Sequence, residues 1–121
     1  MSTLSTHILD IALGRPAPGI LVILSRDDHE LARARTNPDG RIGDWPAATP
    51  AASAAPAVAS APLDLTPGIY CLRFETKPWF TATSTPTLYP FIEIRFEVGA
   101  AGHYHIPLLL SPFGYSTYRG S

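Results

Sequence analysis

The chain has 121 residues, 45% of them hydrophobic and only 16% charged, with a formal net charge of −1 from 9 basic and 10 acidic residues. That length suits one core and is too short for two domains of ordinary size, so a single domain over residues 1–121 is expected. So balanced a charge supplies no field for nucleic acid or an anionic membrane, and neither partner is expected. The charged fraction, below the roughly 25% of a typical domain, leaves apolar surface for an oligomer to cover.

Cys71 is the only cysteine, which excludes an intrachain disulfide and cysteine-rich zinc modules. In the N-terminal stretch MSTLSTHILDIALGRPAPG, His7, Asp10 and Arg15 interrupt any apolar run before a signal peptide or membrane span develops. A cytoplasmic protein is the expectation.

Thirteen prolines and nine glycines leave no breaker-free window with the helical period, so the chain reads as all-β. In order, strands are predicted over LSTHILD (4–10), GILVILSR (19–26) and HELARART (29–36). The NPDG sequence (37–40) follows, with Pro38 and Gly40 where a hairpin turn leading to Arg41 wants them. Residues 46–62 hold nine alanines and four prolines, and the prolines break any helix the alanines favour, so an exposed loop is expected. Beyond it come a strand over GIYCLRFE (68–75) and a helix of at most two turns over TKPWFTAT (76–83), with Thr76 as N-cap and Pro78 in the first turn. FIEIRFEV (91–98) alternates Ile92, Ile94, Phe96 and Val98 with Glu93, Arg95 and Glu97, the pattern of a strand with one dry face. The last strand is HYHIPLLL (103–110), and short strands bounded by turn residues suit a β-sandwich.

Residues two apart on a strand share a face. His103 and His105 therefore project together with Pro107 and Leu109, opposite Tyr104, Ile106, Leu108 and Leu110, which face the core. The same rule groups Ser5, His7 and Leu9. If the first and last of these strands share a sheet, His7 and His105 face each other. Three imidazoles can hold zinc with one position open. Without metal, the same groups serve acid–base chemistry, an imidazole taking a proton from water while Arg41 or Arg119 stabilises negative charge on a carbonyl oxygen. Either cation would also favour the neutral form of a nearby histidine.

The segments STHILDIALGRPAPGI, TNPDGR and HYHIPLLLSPFGYSTYRGS resemble, in order along nearly the whole chain, the signature segments of the 5-hydroxyisourate hydrolases, transthyretin-related enzymes of urate breakdown. The Ala/Pro tract looks like an insertion or an unusually long loop between that family's fourth and fifth strands. The resemblance implies a transthyretin-like β-sandwich of two four-stranded sheets with one short helix. It also implies a homotetramer with active sites in a channel between dimers, and metal-independent opening of 5-hydroxyisourate with no cofactor. Carried over by position, His7, Arg41, His105 and Ser121 match the catalytic constellation, and His103, Tyr118 and Arg119 are candidates for substrate binding. The polar tail, ending on a carboxylate, would then be ordered at a subunit interface. The thyroid-hormone carrier of the same fold lacks the two histidines and the YRGS ending, which sets hydrolysis ahead of ligand carriage.

Overall fold

A computed structural model describes residues 2–46, 63–100 and 102–121. The Ala/Pro tract expected as a loop at 46–62 lies outside the described residues except for Pro46. Two sheets face each other. One runs β2 (Arg15–Pro16), β1 (Ser2–Asp10), β8 (Gly102–Ser111), β9 (Gly114–Thr117), with the two-residue β5 (Arg41–Ile42) also paired to β1. The other runs β4 (His29–Arg35), β3 (Leu21–Arg26), β6 (Gly68–Phe74), β7 (Ile92–Val98). The six strands predicted from alternation all form.

Alternation becomes burial directly. Every second residue of β1 is buried, so Leu4 and Ile8 enter the core while Thr3, Ser5 and His7 stay at the surface. Tyr70, Leu72 and Phe74 of β6, Ile92, Ile94 and Val98 of β7, and Tyr104, Ile106, Leu108 and Leu110 of β8 meet them in one core cluster. Each fully buried large side chain contributes about 1.5–3 kcal/mol. Trp45, 1% exposed, closes the core beneath β1 and donates its indole N–H to the Leu4 carbonyl at 3.0 Å.

β1 and β8 run parallel, in register from Ser2 opposite Gly102 to Asp10 opposite Leu110. A parallel pair needs a long crossover, and here nearly the whole chain supplies it. No sequence pattern within either strand announces such a partner.

Two local expectations are corrected. NPDG does form a tight turn, with Gly40 N–H donating to the Asn37 carbonyl at 2.8 Å, but it is not a hairpin: β5 beyond it pairs with β1 in the opposite sheet. Gly40 has φ 75°, and a Cβ there would lie 2.6 Å from the Ile8 carbonyl oxygen, so both conformation and space demand glycine. The turn is thereby pressed against β1, and Ile8 N–H donates to the Gly40 carbonyl at 2.8 Å.

The helix α1 (Lys77–Ala82) appears where expected, yet the Thr76 side chain makes no capping bond. Thr76 has helical φ and ψ of −87° and −23°, unlike the extended backbone of a capping residue, and its buried hydroxyl has no hydrogen-bond partner among the described residues. Tertiary contacts hold the helix in the cap's place. Phe80 is buried, and Trp79 donates its indole N–H to Asp10 Oδ2 at 2.9 Å. No helix of the described residues is long and apolar enough to cross a membrane.

Candidate active site

The outer face of the β1–β8 pair carries the chemistry. Parallel register sets Thr3 opposite His103, Ser5 opposite His105 and His7 opposite Pro107. His7 and His105 thus share a face, as expected, but stand diagonally, with Ser5 directly across from His105. On the other side of β1, His7 is paired with Arg41 of β5. Arg41 owes its position to the turn before it, where the Asn37 side-chain oxygen accepts from the N–H groups of both Asp39 and Arg41 at 2.9 Å.

The tail completes the arrangement. Gly120 N–H donates to the His105 carbonyl at 2.7 Å, an isolated bridge beyond the end of β9. A Cβ on Gly120 would overlap the His105 ring, so only glycine lets the tail lie this close. Ser121 then reaches an open concavity of about 420 Å³ shared by Ser5, Thr6, Asn37, Arg41, Ile42, Gly43 and His105. A groove of similar size, about 450 Å³, runs between α1 and the start of β3, but its lining of Pro18, Ile20, Leu21, Trp79 and neighbours brings no histidine. Chemistry, not volume, singles out the first.

His105 lines this concavity and His7 stands beside it, paired with Arg41, and electrostatics favour the neutral form of both imidazoles. Burial lowers the pKa of His105 below its ordinary 6.5, and the charge of Arg41 lowers it further, with smaller contributions from His103 and His7. His7 is lowered for the same two leading reasons, with a hydrogen bond to the Asp39 backbone and the Asp39 charge pulling the other way. Both rings are therefore available as bases at neutral pH.

His103 sits beside this group, its Nε2 at 2.8 Å from the Ser5 hydroxyl. Tyr118 and Arg119 do not converge with the histidines in this chain. Tyr118 is 56% exposed, and the Arg119 guanidinium stacks over the Tyr104 ring at 4.4 Å, beside Ile94, Phe96 and Ile106. Among the described residues no group of three His, Cys, Asp or Glu side chains is placed to hold a metal ion. Ser5, Asn37 and Gly120 are positions at this site that sequence reasoning did not single out. Strand alternation groups Ser5 with His7, but its contact with His105 depends on a register that only the folded chain reveals.

A profile of the HIUase/transthyretin family matches residues 4–120. The chain belongs to that family. Among curated members of the HIUase/transthyretin family, the 5-hydroxyisourate hydrolase of Caulobacter vibrioides is 43% identical over 130 residues that span 100% of both chains. Among solved structures, Klebsiella pneumoniae 5-hydroxyisourate hydrolase superposes with a TM-score of 0.78 at 44% identity, covering 98% of this chain and 99% of that one. Sea bream transthyretin, solved in complex with thyroxine, gives a TM-score of 0.76 at 26% identity over 98% of this chain and 94% of its own. The family fold thus spans hydrolases and a protein solved in complex with thyroxine.

Proposed function

We propose that this chain catalyses metal-independent hydrolysis of 5-hydroxyisourate to 2-oxo-4-hydroxy-4-carboxy-5-ureidoimidazoline, a step of urate breakdown. The observation that carries this reading is the meeting of His105, Arg41 and Ser121 on a single cleft, with His7 paired to Arg41 on the adjoining strand and both imidazoles lowered in pKa by burial and by Arg41. Water attacks a cyclic amide carbonyl, its proton passing to an imidazole as the C–O bond forms. The Arg41 guanidinium faces the oxygen that gains negative charge. The proton is then returned to the ring nitrogen as the C–N bond breaks, which opens the six-membered ring. His7 and His105 share the proton work, and Ser121 orients substrate or water. His103, one Ser5 hydroxyl away from His105, would meet substrate from beside the cleft. Tyr118 and Arg119, turned away from this chain's own cleft, would serve substrate binding only by reaching the site of a neighbouring subunit.

The same proposal includes a cytoplasmic homotetramer. Ile11, Leu13, Leu88 and Phe113 are each more than half exposed, and all four lie in loops at the end of the sandwich where β1 and β8 finish. Leu88 N–H donates to the Pro112 carbonyl and Ile11 N–H to that of Leu110, which ties these loops together. An exposed apolar group of this kind marks a surface for a further copy.

The deciding experiment follows the decay of 5-hydroxyisourate, generated in solution by oxidising urate, with and without the protein and with chelator present. Strong, chelator-resistant acceleration giving an optically active product is expected, and His105→Asn should reduce it by two or more orders of magnitude. Decay at the spontaneous rate by folded protein overturns the proposal. The likeness to a thyroxine complex then favours the other reading, a small-ligand carrier, which binds saturably without turnover.

A further inference from the structure

The outer face of β1 and β8 carries a continuous string of polar side chains, of which the proposed chemistry uses only one end. Thr3 Oγ1 lies 2.6 Å from His103 Nδ1, His103 Nε2 lies 2.8 Å from Ser5 Oγ, and Ser5 Oγ lies 2.7 Å from His105 Nδ1. The parallel register produces this order by setting each hydroxyl opposite an imidazole.

Ser5 has one proton to donate. Flanked by two ring nitrogens at hydrogen-bond distance, it must donate to one and accept from the other. With neutral rings, only two proton arrangements satisfy every contact. In the first, His105 donates from Nδ1 to Ser5, Ser5 donates to His103 Nε2, and His103 donates from Nδ1 to Thr3; His105 Nε2 is then a bare lone pair. In the second every donation is reversed, and His105 Nε2 carries hydrogen and is no base.

We propose that Ser5, backed by His103, is a positioning residue that holds His105 in its Nδ1–H tautomer and so makes Nε2 the base of the cleft. The first arrangement has an advantage the second lacks. When Nε2 takes a proton from water, the resulting imidazolium still donates from Nδ1 to the Ser5 lone pair, and nothing along the string turns round. In the second, protonation would set Nδ1–H against the Ser5 O–H and break the contact. This is the orienting task a carboxylate performs for the histidine of a Ser-His-Asp triad, done here by a hydroxyl and a second imidazole. The kinetic consequence rests on the hydrolytic reading; the tautomer itself does not.

The test is ¹⁵N NMR of histidine-labelled protein at about pH 8, where imidazoles are neutral and the two tautomers are spectroscopically distinct. Wild-type His105 should be protonated at Nδ1. Ser5→Ala should admit the Nε2–H form and lower kcat by about 10- to 100-fold with KM little changed, short of the roughly 10⁴-fold that a wrong tautomer costs a serine protease. Ser5→Thr, which keeps the hydroxyl, should restore both. Wild-type His105 protonated at Nε2 overturns the proposal, as does a Ser5→Ala protein with unchanged tautomer and kcat. A wild-type protein without turnover removes the hydrolytic reading, and its spectrum still decides the tautomer.

Discussion

An imidazole can take a proton from water only while it is neutral, and on this face of the sheet burial and then Arg41 hold His105 and His7 below 6.5. The acid limb of kcat/KM is therefore expected below pH 6.5. Arg41→Gln should move that limb upward, though not all the way, because burial remains; on the proposed mechanism it should also slow turnover by removing the donor assigned to the carbonyl oxygen. A pH–rate profile with the same limb in both proteins would detach Arg41 from the histidines. Stability follows the same linkage. The unfolded chain binds protons at these histidines more readily than the folded one, so their contribution is complete above pH 6.5 and is lost as pH falls from there through the lowered folded values. Urea midpoints should fall with acidification across that window, and less steeply in a His7→Gln, His105→Gln protein. Gly120 belongs to this scale as well. Gly120→Ala would push the added methyl into the His105 ring, and a displacement near 1 Å can cost about 10²-fold in rate. Because Gly120 is partly exposed and lies beyond the core strands, the urea midpoint should stay near wild type while kcat falls.

Among the elements, the turn after β1 shows how a surface-facing strand is anchored from behind. Asp10 is 2% exposed, and its carboxylate accepts from Ala12 N–H at 3.0 Å and Leu13 N–H at 2.9 Å through one oxygen and from the Trp79 indole through the other. One side chain thus fixes the β1–β2 turn and docks α1 without a helix cap. Asp10→Ala strands these donors at roughly 1–3 kcal/mol for each one left buried and unpaired. Asp10→Asn keeps the oxygen that serves the turn but sets an amide N–H against the indole N–H, so it should cost less. Urea denaturation, with a lower midpoint and unchanged slope, checks both. These elements also divide what the sequence discloses from what it does not. The dry faces of β1, β6, β7 and β8 were legible because a strand's period of two survives in the order of residues, and by the same period His7 and His105 were legible on the opposite, outer faces of β1 and β8, with Arg41 after a turn. The hairpin expected at NPDG failed because turn chemistry specifies a reversal of direction, not the sheet that receives the next strand. Ser5 was hidden for a related reason: its partner His105 lies a hundred positions away, and only the parallel register brings them together.

For the whole molecule, the outer face of β1 and β8 grades from polar to apolar along its length. It begins with Thr3, Ser5, His7, His103 and His105, passes through Pro107 and the directly opposed pair Leu9 and Leu109, and ends at exposed Ile11, Leu13 and Phe113. A second copy seated on the apolar end would bury those side chains and wall off the adjacent cleft, turning an open concavity into a channel that excludes bulk water from the two histidines. Exclusion of water strengthens the interaction of Arg41 with charge developing on substrate, so assembly and catalysis should be lost together. Replacing Leu13 or Phe113 by glutamate places an unpaired charge in that contact. Sedimentation should show the Leu13→Glu and Phe113→Glu proteins as smaller species than the wild type, with unchanged urea-monitored folding of the core and sharply lower turnover at the same protein concentration. The coupling predicts one more thing: dilution of the wild type through its dissociation range should lower the activity per chain. Activity per chain that stays constant while the assembly falls apart would show that one chain's face of Ser5, His7, Arg41 and His105 is sufficient by itself.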